Sequence, residues 1–380
     1  MHWDMKSGDR RRLYDGPAYS RLWEKSAIGL LTGDQGLLLT DSEVIFCREH
    51  RGVEFEDIFD QRSFALWLSE RVRLNRNILR EAAVLEALRV PGNKVVLSEN
   101  FEPLGLESSD SWAMRWSSDN HPSRDSPVSE ILWYESKDVL HDANQEPENT
   151  LENLLYWCDE VTRRGRLPEV LVIDEEQSVV TYRLSEADPN GDMNQPTAQV
   201  FESISEKSAE SLGWNGIFIS DAINWPLESI GIPLHDGRQL DITEAEIVRL
   251  MGKNVRSTRE VEISISHLST IRDDEIGFLS VSASILLDLW MRGLNTRSGF
   301  KYGTAWRCYS GDIGEGHAPW LVVDPSKEGP ANWAEACLSS RLASGVNKHW
   351  LYPIHDGERW RYLQISRPPS DSRWSNPKRI

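Results

Sequence analysis

Lysine is scarce in this chain: of the 42 basic residues among 380, only ten are lysine, set against 60 Asp and Glu and a net charge of −18. Phosphate contacts draw their affinity from Lys and Arg, so this balance excludes a generic, broadly basic nucleic-acid binder while leaving room for a local basic site. Cysteine is nearly as sparse. Cys47, Cys158, Cys308 and Cys337 lie far apart with no CxxC pair, which excludes a zinc ribbon and a secreted disulfide framework and favours a reduced, cytoplasmic setting. No run approaches the ~18 apolar residues that a membrane helix needs, and Met1 to Arg12 is polar and charged, unlike a signal peptide. The histidines form no HxxxH or HExxH set, so no metal is expected, and the Gly299–Gly303 turn lacks the pattern of a phosphate loop. High acidity with little lysine also suits a salty cytoplasm.

What is present is a soluble composition, 39% apolar and 27% charged with 16 tryptophans, long enough for two or three domains with real cores. The chain also repeats itself. Leu39–Ile45 echoes Ile242–Val248 about 203 positions later, each reading as a strand end, a Thr cap, acidic first-turn residues and an apolar helix face. Val84–Leu88 resembles Leu286–Trp290, Ile131–Glu135 matches Trp320–Asp324, and Arg164–Ile173 matches Ser344–Ile354, with offsets shrinking to about 180. These echoes predict an α/β fold with α+β lobes, a tandem duplication of a two-lobed unit. The expected lobes are 1–100, 101–190, 191–288 and 289–380. Ser185–Asp192 reads as the linker between copies, and Glu107–Ser129, rich in Ser and Asp with two prolines, as a long exposed loop. The last lobe reads as a helix over 282–292, strands near 306–309 and 320–323, a helix over 332–343, and a strand pair turning at Asp356-Gly357.

The copies differ chemically. Copy two carries Gly299-Phe-Lys-Tyr-Gly303, then Arg307-Cys308-Tyr309, His317-Ala-Pro-Trp-Leu, and Val346-Asn347-Lys348. In copy one the counterpart stretch Ala113–Ser117 holds no tyrosine, Lys348 falls on Pro168, and His317 falls near Val128. The Tyr, His and Lys are present together in one copy and absent together from the other, as expected when one copy keeps chemistry and the other a scaffold.

This pattern resembles the archaeal tRNA-splicing endonucleases (tRNA-intron lyases): a Phe-Lys-Tyr-Gly turn, an Arg-x-Tyr strand, a His before a Trp-Leu strand and a Val-x-Lys after the long helix, in that order over Phe300–Ile365. The specific motifs occupy the last ~80 residues; the rest resembles the form in which two units are fused, the first degenerate. Trp306 and Cys308 replace commoner residues, the Tyr309–His317 loop is short, and Trp350 stands for an aliphatic, but no catalytic group is lost. The resemblance implies a small restriction-endonuclease-like mixed sheet with flanking helices in the C-terminal lobe of each copy. It also implies Tyr309 as base, His317 as acid and Lys348 as charge stabiliser in a cleavage needing neither metal nor cofactor. An imidazole titrates near neutrality and suits the acid's role. A phenol ordinarily releases its proton only near pH ~10, so a base of this type calls for a neighbouring cation, a part Lys348 would play. The implied substrate is precursor tRNA with a bulge–helix–bulge, its bulged bases clasped by Arg341 and by Arg367 or Trp360. The implied assembly is a homodimer in which the acidic hairpin Asp174-Glu175-Glu176 docks into the partner's catalytic lobe. The competing reading is a non-catalytic RNA-binding subunit that needs a partner chain; a metal-dependent nuclease is a third, for which no Asp/Glu pair with a following Glu-x-Lys is found.

Overall fold

A computed structural model of the protein describes residues 11–33, 36–140, 151–254, 279–314 and 316–377; most of the polar leading segment Met1–Arg12 lies outside them. Its elements are mixed helices and strands, as expected. The described residues separate into two units. The first comprises those up to Ser185 with 331–337 and those from 365 on; the second comprises those of 186–330 with 338–364.

The first unit opens with β1 (Arg12–Tyr14), α1 (Tyr19–Ser26), β2 (Leu30–Thr32) and β3 (Gly36–Leu39), an antiparallel sheet in the order β1-β3-β2, followed by α2 (Asp41–His50), α3 (Gln61–Leu74) and α4 (Ile78–Arg89). Leu37, Leu39, Val44, Phe46 and Trp67 bury together and hold sheet to helices. Thr40 starts α2: its hydroxyl accepts from the Glu43 amide at 3.3 Å while Glu43 Oε2 accepts from the Thr40 amide at 3.2 Å, a reciprocal capping box. Glu43 Oε1 reaches further, accepting from the Gly29 amide at 2.9 Å.

The second unit repeats this device. It holds α6 (Ala198–Ser205), a four-stranded sheet of β9 (Ala209–Ser211), β10 (Ile217–Ile219), β11 (Ile232–Leu234) and β12 (Gly237–Leu240), then α7 (Ile242–Asn254) and α8 (Val281–Met291). Asp241 and Glu244 exchange the same two bonds at 2.8 and 3.0 Å, and Glu244 Oε1 accepts from the Gly231 amide at 3.0 Å. Gly29 and Gly231 both sit at φ +71°, where a Cβ would crowd the Leu38 and Gln239 carbonyls. The helix start is therefore Asp241 and not Thr243, and the echo with Thr40 is 201 residues rather than 203. One partner differs. Arg89, fully buried, donates to Glu43 Oε1 at 3.1 Å, whereas no ion pair reaches Glu244 among the described residues. Burial, with Asp241 adding, pushes the Glu244 carboxyl up to about 7 against the pull of its backbone donors.

Each unit then carries a five-strand mixed sheet. In the first, β4 (Lys94–Leu97), β5 (Ala113–Trp116), β6 (Ser129–Glu135), β7 (Leu167–Ile173) and β8 (Val179–Ala187) neighbour one another in that order. Only β6–β7 is parallel, crossing over through α5 (Leu151–Arg163). In the second, β13 (Asn295–Ser298), β14 (Trp306–Tyr309), β15 (Trp320–Val322), β16 (His349–His355) and β17 (Trp360–Ser366) do the same, with β15–β16 the parallel pair. Here α9 (Pro325–Glu328) and α10 (Trp333–Gly345) lie between those two strands. The expected elements of this lobe hold to within two residues, and the Asp356 carboxylate accepts from the Glu358 and Arg359 amides to make the predicted turn.

Two loop expectations are corrected. Glu107–Ser129 is not an exposed loop: β5 runs through it, with Trp112, Ala113, Met114 and Trp116 buried, because four apolar side chains outweigh the polar residues around them. Ser185–Asp192 is a loop from Asp188 on, not throughout. β8 runs on to Ala187, and the Gly191 amide donates to the Arg292 carbonyl at 3.0 Å, so close that a Cβ on Gly191 would lie 2.4 Å from the Gly293 carbonyl. No helix among the described residues is long and apolar enough to cross a membrane.

Candidate active site

The antiparallel register of β14 on β15 sets Cys308 opposite Trp320, and the parallel register of β15 on β16 sets Trp320 opposite His349. Tyr309 is the last residue of β14, His317 comes three before β15 begins, and Lys348 immediately precedes β16. All three thus leave the same end of three neighbouring strands. Cys308, Leu321 and Leu351 are buried beneath them. The Lys348 ammonium donates to the carbonyl of Ala318, next to His317, and the His349 amide donates to the Pro319 carbonyl at 2.8 Å. Asn347 takes a left-handed φ of +55°, letting the chain leave α10 and place Lys348 at the strand mouth. His317 is exposed; Tyr309 and Lys348 are half-buried. Arg307 lies 5.8 Å from the centroid of the Tyr309 ring, and the Lys348 ammonium 5.4 Å from that of Tyr302. The arrangement brings a phenol, an imidazole and an ammonium to one open edge in an otherwise acidic protein.

The same registers in the first sheet show what stands at each counterpart. Ile131 pairs with Ala113 and Glu169 there as Trp320 pairs with Cys308 and His349. Met114 therefore answers to Tyr309, Val128 to His317 and Pro168 to Lys348. The parallel ladder also runs two residues further in the first sheet, beginning at Ser129–Leu167, whereas β15–β16 begins at Trp320–His349. That early opening frees His317 and Lys348. In the first sheet the edge is filled by buried carboxylates: Glu130 takes bonds from Arg164 (3.0 Å), Arg166 (2.7 Å) and Ser111 (2.6 Å), and Glu169 from Arg115 (2.9 Å) and Ser129 (2.7 Å). Sequence reasoning missed this network, whose partners are too far apart in the chain to signal one another.

Of the remaining expected residues, Arg341 is exposed on α10 and Arg367 is exposed after β17, each without an ion pair among the described residues. Trp360 is no base clasp: it is buried, and its indole donates to Ser284 at 2.9 Å. The acidic hairpin joins β7 to β8. Asp174 is committed to holding the turn, accepting from the Glu176 and Ser178 amides, while Glu175 pairs with Lys137, which holds its carboxyl below the usual range; Glu175 and Glu176 are exposed. One group among the described residues, Glu49, His50 and Glu86, has metal-ligand types close together, but His50 is already paired with Glu86 at 2.9 Å.

The family description "tRNA intron endonuclease, catalytic C-terminal domain" matches residues 282–362, from α8 to β17, a span that contains Tyr309, His317, Arg341 and Lys348. The chain resembles the tRNA-splicing endonucleases. It is 27% identical over 195 residues to the tRNA-splicing endonuclease of Thermoplasma volcanium, covering 51% of this chain and 53% of that protein. It is 21% identical over 212 residues to the tRNA-splicing endonuclease of Methanococcoides burtonii, covering 52% and 57%. The chain thus spans about half the length of these curated relatives, and the likeness read from its motifs is borne out.

Proposed function

We propose that the protein is a metal-independent endoribonuclease that excises introns from precursor tRNA at bulge–helix–bulge junctions. The convergence of Tyr309, His317 and Lys348 at one strand end, within the span that matches the catalytic domain, carries this reading. Tyr309, acting as its phenolate, accepts the proton of the 2′-hydroxyl, whose oxygen attacks the adjacent phosphorus. Lys348 faces the charge that develops on the phosphoryl oxygens, and His317 gives a proton to the departing 5′-oxygen. The bond to that oxygen breaks as the ring closes, leaving a 2′,3′-cyclic phosphate and a 5′-hydroxyl.

The chain is read as a tandem duplication with lobes near 1–100, 101–190, 191–288 and 289–380, the later lobe of each copy being a restriction-endonuclease-like sheet. The matched capping boxes and the shared strand order of the two sheets support it. It acts in the cytoplasm as a homodimer, with Glu175 and Glu176 of one protomer docked on the catalytic lobe of its partner. Arg341 and Arg367 clasp bulged bases. Reversing both hairpin charges is expected to yield monomers in light scattering, and an unchanged mass would remove the docking.

The decisive experiment places a single 2′-deoxy nucleotide at the cleavage site of a precursor tRNA and follows cutting in EDTA. Loss of the cut at that junction alone is expected; a cut that survives would contradict 2′-oxygen attack. Tight binding without any cutting of the all-ribose substrate would favour the partner-dependent subunit.

A further inference from the structure

The turn between β13 and β14 has a feature that the triad leaves unexplained. Its backbone is pinned by five hydrogen bonds: Gly299 to Ala305, Tyr302 and Thr304 to Gly299, Gly303 to the Phe300 carbonyl, and the Phe300 amide to the Ser298 hydroxyl. Gly303 sits at φ +67°, and a Cβ on Gly299 would lie 2.6 Å from the Thr304 carbonyl, so the turn's shape is fixed by its glycines. At its tip Phe300 is 89% exposed. A ring held so far into solvent contributes nothing to the core, and a rigid turn cannot fold it away. Two residues on, Tyr302 lies with its ring 5.4 Å from the Lys348 ammonium and 5.9 Å from that of Lys301, so the turn stands beside the catalytic edge and brings a second cation to it.

We propose that Phe300 is a stacking platform for an unpaired RNA base next to the scissile phosphate, with the exposed Lys301 contacting the neighbouring backbone phosphate. The assignment rests on the endonuclease reading and names a substrate contact that the triad does not supply. Splayed-out bases stack on aromatic faces regardless of identity, and the two lysines by Tyr302, two residues on, favour a polyanion over a protein partner.

The test compares wild type, Phe300→Ala and Phe300→Trp on a bulge–helix–bulge RNA and on the same RNA with one abasic residue at each bulge position in turn. Binding and single-turnover cleavage are measured together. Phe300→Ala is expected to weaken binding roughly five- to a hundredfold. The rate at saturating protein should change little, and Phe300→Trp should restore wild-type binding. At one bulge position the abasic substitution should cost wild type about as much and cost Phe300→Ala nothing more. Unchanged binding by Phe300→Ala, or an equal loss on every abasic substrate, would overturn the platform while wild-type cleavage upheld the enzyme. A lower mass of Phe300→Ala in light scattering would overturn it in favour of a protein contact. Wild type that neither binds nor cuts would overturn both.

Discussion

The two five-strand sheets share strand order, the place of the one parallel pair and the helix that crosses between its strands, yet their corresponding edges are treated in opposite ways. In the second unit the ladder stops early and leaves Tyr309, His317 and Lys348 at an open mouth. In the first it continues for two residues and closes over Met114 and Pro168, with Glu130 and Glu169 sunk among arginines. The second edge keeps its polar groups half-exposed and largely uncommitted, as groups must be if they are to meet a substrate. At the first edge the two buried carboxylates are matched, Glu130 by Arg164 and Arg166 and Glu169 by Arg115. What separates the proposed catalytic edge from its counterpart is two residues of strand pairing and three side-chain identities, not a different strand order.

Substitutions at matched positions sharpen that contrast. Tyr309→Phe is expected to lower single-turnover cleavage by roughly 10²–10⁴-fold. Its counterpart change, Met114→Leu, conserves volume at a buried site and should leave the rate within a few-fold. Equal losses from both would mean that the two edges act alike. On stability the ranking reverses. Glu169→Ala leaves Arg115 buried without its carboxylate and should cost about 3–5 kcal/mol in denaturant unfolding. His349→Ala, at the exposed counterpart, should stay within ~0.5 kcal/mol.

The smallest effect expected is on pH dependence. Glu43 is paired with Arg89, whereas Glu244 is buried without an ion pair among the described residues, and burial raises its carboxyl from the ordinary 4.5 to about 7 against the weaker pull of Arg297. An acid raised in the folded state stays protonated there while the unfolded chain ionises. The second unit should therefore lose stability as pH climbs from about 4.5 to about 7 and level off above. The burial-raised Glu81, also at about 7, adds the same slope in the first unit. Glu244→Gln should flatten the second-unit part, a matter of a few °C in melting temperature. An unaltered slope would place the titration elsewhere.

Much of this was legible in the chain. The elements of the last lobe follow from short apolar runs and a clear Asp-Gly turn, and the joint absence of Tyr, His and Lys from the first half points to the half that matches the catalytic-domain family. The helix cap is Asp241, two residues before the Thr243 that apolar similarity points to, because the Asp-x-x-Glu spacing forms the box. β5 was hidden by its polar surroundings, although Trp112, Met114 and Trp116 alternate as a strand should. Trp360 looked available because indoles stack on bases, but its place on β17 commits it to the core. The ion pairs of Glu130 and Glu169, and the approach of Tyr302 to Lys348, join residues distant in the chain and could not be read from spacing.

The central claim is that one edge cuts RNA and its counterpart does not. Cleavage of a bulge–helix–bulge precursor in EDTA by wild type, His317→Ala and Val128→Ala tests it most directly. Cutting at both junctions is expected from wild type and Val128→Ala, and a loss of roughly 10²–10⁴-fold from His317→Ala. Undiminished cutting by His317→Ala would contradict it.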